Sequence, residues 1–227
     1  LAKEMGTETF YNYLSVFNIG KETNIDLSGE VTFPFLSPSN PTPFGSDPNL
    51  PRWYDGMMGP QAFGQGVAVT PIRMITSASA LANQGRMMAP HIQKAILQDG
   101  RIRYYNPKIV STPIKPQTAK TLTDMLTVSL EEESSTALVN GYSVAGKTGT
   151  AEIPTRKGYT SGLTNASFVG WGPSDDPQFI VYIWLEKPTS SIWSSLVTAP
   201  IFREIVENLV IIMNIPPDSV RMEYASR

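Results

Sequence analysis

The spacing of apolar residues changes several times along the chain, and each change marks an expected element. Leu1, Met5, Phe10, Leu14 and Phe17 fall near helical spacing, so the chain opens as though already inside a helix. Residues 7 to 18 predict an amphipathic helix with Thr7 as N-cap, Glu8 in the first turn and Gly20 as the stop. Asn24 to Glu30 predicts a short extended piece closing in a turn. Residues 34 to 56 carry six prolines, at 34, 38, 41, 43, 48 and 51, a density that excludes a helix or a central strand. Trp53 and Tyr54 in this loop are expected to pin it to the body rather than to line a groove. Thr70 followed by Pro71 predicts a helix start. Ile72, Ile75, Ala78, Ala80, Leu81 and Ala82 give that helix a small apolar face, and Asn83-Gln84-Gly85 ends it. His91, beside an apolar strand, is expected to be structural.

Residues 92 to 105 alternate around Gln98-Asp99-Gly100-Arg101, a hairpin signal. Residues 117 to 139 predict a long helix bearing Leu122, Met125, Leu126, Val128 and Leu130, with Glu131 to Glu133 on its solvated face. Three strand candidates follow: Ser143 to Ile153, Ala166 to Trp171 and Gln178 to Leu185. Pro173 to Pro177 turns the second into the third as antiparallel neighbours. A last helix is expected from about Val197 to Met213, with Ile201, Ile205, Leu209, Val210 and Ile212 facing the sheet. Helices followed by an antiparallel meander and a helix make the fold class α+β.

Composition narrows the chemistry. A net charge of −2 argues against a nucleic-acid partner. The absence of cysteine excludes disulfides and thiolate metal sites. A single histidine leaves little for a metal centre or a Ser-His-Asp triad, and no metal or cofactor is expected. No run of about 18 apolar residues predicts a membrane-spanning helix.

The candidate chemistry lies in Val144-Ala145-Gly146-Lys147-Thr148-Gly149-Thr150-Ala151-Glu152. One cationic side chain stands among glycines and threonines. Glycine admits close backbone approach, the hydroxyls can donate to a carboxylate, and lysine supplies a point charge. Gly141 to Thr148 also match the P-loop pattern G-x-x-x-x-G-K-[ST]. A P-loop needs a buried strand before it and a helix straight after it. Polar Glu131 to Ser135 precede it here, and a glycine-started segment reaching Pro154 follows. The alternative reading is the K-T-G of serine acyltransferases that handle penicillin, placed on a strand.

The order of motifs resembles the C-terminal half of the transpeptidase domain of class B penicillin-binding proteins. The resemblance rests on Met5-Gly6 with the Phe10-Tyr11 helix and on Ile25-Asp26-Leu27-Ser28-Gly29-Glu30. It continues through Gly64-Gln65-Gly66, Val69 to Met74, Leu81 to Gly85, Val144 to Glu152, Phe168-Val169-Gly170-Trp171 and Ala199-Pro200-Ile201-Phe202. It implies one partial transpeptidase domain over residues 1–227, with an antiparallel sheet of about three strands packed with helices. A mostly helical part would span 1–142 with the proline-rich loop 34–56, the sheet and C-terminal helix 143–213, and a tail 214–227. It implies serine acyl transfer that cross-links peptidoglycan stem peptides in cell-wall synthesis and cell-shape maintenance, with β-lactams trapping the serine. By resemblance Lys147 and Thr150 are catalytic, and Lys147, Thr148, Gly149 and Thr150 bind substrate. Lys147 attracts the substrate carboxylate and serves the proton network. The Thr148 and Thr150 hydroxyls hold the carboxylate, and the Thr150 main-chain N–H supplies half of the oxyanion hole. The setting implied is the extracytoplasmic face of the bacterial cytoplasmic membrane, reached only through an N-terminal anchor that this sequence does not contain.

The departures are as informative. No lysine has serine three residues before it, and no S-x-N occurs, so the family's nucleophile motif and second motif are missing, as are the strands ahead of the nucleophile. The chain is therefore expected to be a piece of a longer enzyme and inactive alone. Its missing half would be supplied by the same polypeptide or by an oligomer partner pairing with the Phe179–Leu185 edge. Ser194-Ser195 stand where many relatives carry a glycine pair, and are expected to narrow the groove mouth beside Lys147. Two further readings compete: a non-catalytic module sensing β-lactam or peptidoglycan, and the P-loop nucleotide binder.

Overall fold

The computed structural model describes residues 1–227 except 44, 46, 48, 50, 51, 156–158, 160, 161, 226 and 227, so Pro48 and Pro51 of the proline-rich loop lie outside the described residues. The chain divides into two compact units, Leu1–Pro116 and Gln117–Arg227.

In the first unit, α1 (Ala2–Met5) and α2 (Thr7–Val16) are separated by Gly6, which takes the N-cap place. Thr7 is thus the first helical residue and not the cap, because the positive φ of 82° at Gly6 breaks the run one residue earlier. Tyr11 of α2 is buried; its hydroxyl donates to Gln61 Oε1 (2.6 Å) and accepts from Trp53 Nε1 (2.8 Å). Trp53 therefore pins the irregular segment, whereas Tyr54 is exposed. Gln61 sits on α3 (Met58–Ala62) and donates to the Leu36 carbonyl (3.2 Å).

Helix α4 (Pro71–Ala82) starts as expected: the Thr70 hydroxyl accepts from the Arg73 N–H (3.3 Å). Its buried stripe differs from the expected apolar face. It consists of Arg73, Thr76, Ser77 and Ala80. This polar stripe is tolerated because each group finds a main-chain acceptor. Arg73 donates to the Lys21 and Glu22 carbonyls (3.1 and 2.5 Å), Thr76 to Ile72 (2.7 Å) and Ser77 to Phe17 (3.0 Å). Strands β1 (Met87–Met88) and β2 (Ala95–Gln98) pair with β4 (Ile109–Ser111) and β3 (Arg101–Tyr104) respectively, both antiparallel. The β2–β3 turn places Asp99 and Gly100 at φ 52° and 70°, the left-handed pair that a two-residue hairpin needs. His91 stacks on Tyr105 with ring centroids 3.9 Å apart.

The second unit is built on α5 (Pro116–Glu132) and an antiparallel sheet ordered β5 (Ala145–Glu152), β6 (Thr164–Gly172), β7 (Phe179–Glu186). Helix α5 stops seven residues before the expected 139, because Ser134 turns left-handed (φ 48°). It buries Ala119, Thr123, Thr127 and Leu130, while Leu122, Met125 and Val128 of the expected apolar set are exposed. The expected last helix is two pieces, α6 (Ser194–Val197) and α7 (Ala199–Ile212), split at Thr198. Its core stripe is Phe202, Val206 and Val210 at four-residue spacing; Ile205 and Ile212 are exposed. Phe168 of β6 meets Phe202 with centroids 4.7 Å apart. Gly146 and Gly170 make room for these rings, since a Cβ on either would come within 2.8 Å of a ring carbon. The stretch expected as a tail carries α8 (Asp218–Ala225). Asp218 accepts from the Ser143 N–H (2.6 Å), and Tyr142 donates to the Ile215 carbonyl (2.8 Å), which fastens this stretch beside the entry to β5.

Candidate active-site strand

Strand β5 carries all the candidate residues and, among the described residues, pairs on one side only, with β6. Alternation fixes which groups it offers. The Ile153 N–H donates to the Leu163 carbonyl (2.8 Å), and the register steps back in twos through Ala151↔Asn165 and Gly149↔Ser167. Odd-numbered residues of β5 therefore turn their main-chain groups to β6. The N–H and C=O of Thr148 and Thr150 point the other way, off the sheet edge. A free edge of this kind can take an extended peptide as an added strand.

Side chains divide by the same parity. Lys147 and Gly149 share the face of Val169 and Ser167; Thr148 and Thr150 share that of Phe168 and Ala166. The Lys147 ammonium crosses the edge and donates to the Thr148 carbonyl (3.1 Å) and the Thr148 hydroxyl (3.3 Å). The exposed Lys147 cation thus sits over an outward-facing acceptor and beside the hydroxyl of half-buried Thr148. A Cβ at Gly149 would lie 2.6 Å from Ser167 Oγ, so a side chain there would have to displace that hydroxyl. On the Lys147 face, Tyr182 pairs with Val169 across the sheet. Burial pushes the Tyr182 phenol up, with the Ser167 hydroxyl pulling the other way.

Thr150 differs from Thr148 in its surroundings. Its hydroxyl lies 2.8 Å from Ser194 Oγ and accepts from the Ser194 N–H (3.3 Å). Ser194, 1% exposed, also donates to the Gly149 carbonyl and accepts from the Ser167 N–H (3.2 Å). Its hydroxyl thus bridges β5 and β6 at the rung between the two threonines. Sequence reasoning singled out Ser194 but placed its effect at Lys147; the contact is with Thr150. The Ser195 carbonyl accepts from the Thr136 hydroxyl (3.0 Å).

Lys147 and Thr148 lie inside a strand that runs on to Glu152 where a P-loop needs a helix, so the P-loop reading of Gly141–Thr148 fails on geometry. Among the described residues no cluster of three metal-ligating side chains occurs, and no helix is long and apolar enough to cross a membrane. A cleft of about 400 Å³ lies in the first unit, around Arg73, Thr76 and Thr23, and its guanidinium is engaged by main-chain carbonyls.

A sequence profile described as the penicillin binding protein transpeptidase domain matches residues 1–207. The chain is similar to stage V sporulation protein D of Bacillus subtilis, 31% identical over 228 residues, covering 98% of this chain and 33% of that protein. It is similar to a probable peptidoglycan D,D-transpeptidase, PbpC, of Pseudomonas aeruginosa, 28% identical over 225 residues, covering 97% of this chain and 36% of that one. Among solved structures it is similar to penicillin binding protein 3 from Mycobacterium tuberculosis complexed with ampicillin. There the TM-score is 0.78 at 28% identity, over 95% of this chain and 48% of that chain. The chain spans about a third of the length of the curated relatives it matches.

Proposed function

Since the chain belongs to the penicillin binding protein transpeptidase family, we propose that it forms the donor-binding side of a peptidoglycan D,D-transpeptidase. The single observation that supports this best is the free edge of β5, with the main-chain groups of Thr148 and Thr150 directed outward and Lys147 over the edge. A stem peptide lies along this edge as an added strand. Lys147 and the neighbouring Thr148 hydroxyl receive its terminal carboxylate. Gly149 keeps the neighbouring surface clear.

The nucleophile is a serine contributed by the remainder of the polypeptide or by a partner chain. Its oxygen forms a bond to the carbonyl carbon of the penultimate D-alanine. The carbonyl oxygen becomes an oxyanion, met by the outward Thr150 N–H; collapse breaks the C–N bond, and the terminal D-alanine leaves with the proton. An amine of a second stem peptide then attacks the ester and regenerates the serine. A donor aimed at such an oxyanion contributes about 2.7–4 kcal/mol. A β-lactam enters as a donor mimic whose leaving group stays tethered, as ampicillin binding by the mycobacterial relative suggests. The reaction belongs on the extracytoplasmic side of the cytoplasmic membrane, where peptidoglycan is cross-linked. The β7 edge is where further strands of the same polypeptide, or an oligomer partner, complete the sheet.

The test is intact-mass analysis of the full-length gene product after incubation with a fluorescent penicillin. One adduct is expected, on a serine outside residues 1–227, with Lys147→Ala lowering the acylation rate about a hundredfold or more. The 227-residue chain alone should gain no mass. Failure of the full-length product to react, or an adduct mapped within this chain, would overturn the assignment.

A further inference from the structure

The two threonines of β5 share a face but not a proton inventory. A hydroxyl has one proton to give and two lone pairs to receive. The Gly149 carbonyl can only accept, so in its hydrogen bond with Ser194 the serine hydroxyl gives its one proton. Ser194 Oγ therefore has none left for Thr150, and across the 2.8 Å contact the Thr150 hydroxyl is the donor. One of the Thr150 lone pairs already receives the Ser194 N–H. What remains on that hydroxyl is an acceptor, which repels a carboxylate. Thr148 carries the opposite arrangement: the Lys147 ammonium donates to its oxygen, and its proton is not committed to any contact described for this strand. Ser194 is buried and tied to both strands, so its hydroxyl is held where Thr150 meets it.

We propose that Ser194 is a positioning residue that withholds the Thr150 hydroxyl from the ligand. The ligand carboxylate is then read by Lys147 and the Thr148 hydroxyl, while Thr150 contributes its main-chain N–H alone. This rests on the reading of β5 as the donor-binding edge. It assigns the two threonines separate tasks, carboxylate recognition and oxyanion stabilisation. It makes the residue at 194 the switch between one hydroxyl and two at the carboxylate.

The test uses the full-length gene product and two probes, benzylpenicillin and its methyl ester, which differ only at the carboxylate. The readout is the ratio of their acylation rates, in which losses common to both probes cancel. A hydrogen bond to a charged group is worth roughly tenfold or more. Thr148→Val should lower the ratio about tenfold. Thr150→Val should shift it less than about twofold in the parent protein, yet lower it about tenfold in the Ser194→Ala background, where the hydroxyl is released. Ser194→Gly serves as the second background should Ser194→Ala fold poorly. An equal tenfold loss from Thr150→Val in parent and Ser194 variants overturns the inference while leaving the assignment of β5 intact. Acylation that ignores Lys147 and Thr148 altogether, or no acylation of the parent, overturns both.

Discussion

The unit spanning Leu1–Pro116 is organised by polar side chains reaching main-chain groups, whereas that spanning Gln117–Arg227 is organised by an apolar core. In the first, the guanidinium of Arg73 gathers two carbonyls, Ser77 a third, and the Tyr11 hydroxyl links Trp53 to Gln61. In the second, Val144, Phe168, Phe202, Val206 and Val210 close on one another behind the sheet. The difference fits what each must hold. A long irregular segment leaves many main-chain groups without secondary-structure partners, and buried ones must find side-chain partners instead. A strand that presents an edge to a ligand needs a stiff sheet behind it, and close packing supplies stiffness.

The largest expected effect tests the apolar half. Phe202→Ala should destabilise by about 3–5 kcal/mol and strip hydrogen-exchange protection from β6 and β7 first. Arg73→Met tests the polar half. It conserves much of the volume but removes the donors to the Lys21 and Glu22 carbonyls, at about 1 kcal/mol each. Were apolar packing what holds that unit, the change would be neutral and the contrast between the units would fail. Tyr11→Phe, which removes one hydroxyl from the Trp53–Gln61 link, should destabilise by about 1 kcal/mol and loosen the segment around Trp53 in hydrogen exchange.

The smallest effect concerns acid. The hydrogen bond from the Arg221 guanidinium holds the Asp175 carboxyl below its ordinary value, against a smaller opposing effect of burial. A depressed carboxylate pKa adds stability that is fully present above the unfolded value near 4 and is lost as pH falls through the folded value. Asp175 is 46% exposed, so screening limits the loss to about 0.5 kcal/mol. In the first unit, burial pushes Glu30 up, but hydrogen bonds from the Thr23 hydroxyl and the Thr23 and Asn24 N–H groups outweigh it and leave the carboxyl depressed. Both units should therefore lose stability below about pH 4, as thermal melts at stepped pH would record. Arg221→Ala should remove the Asp175 part and leave the Glu30 part.

Much of this was legible along the chain. The Thr70-Pro71 start, the Asp99-Gly100 hairpin and the three strands of the meander all follow from local chemistry, a cap, a turn and an alternation. Which face each helix buries was not legible. Apolar spacing favoured Ile72 and Ile75 on α4 and Ile205 and Ile212 on α7. The structure buries Arg73, Thr76 and Ser77 beside the expected Ala80 on the one, and Phe202 and Val206 beside the expected Val210 on the other. Thr76 finds its acceptor one turn back, but the acceptors that meet Arg73 and Ser77 lie 51 to 60 residues away. The same holds at the candidate site. The Lys147-Thr148-Gly149-Thr150 run announces itself, but the partner that distinguishes Thr150 from Thr148 is Ser194, 44 residues on.

The most direct measurement is a crystal structure of the full-length gene product acylated by ampicillin. The account predicts the drug lying along the free edge of β5, its acyl carbonyl oxygen within hydrogen-bond reach of the Thr150 main-chain nitrogen and its carboxylate at Lys147 and the Thr148 hydroxyl. An acylated protein with the β5 edge unoccupied, and the carbonyl oxygen held by other groups, would contradict it.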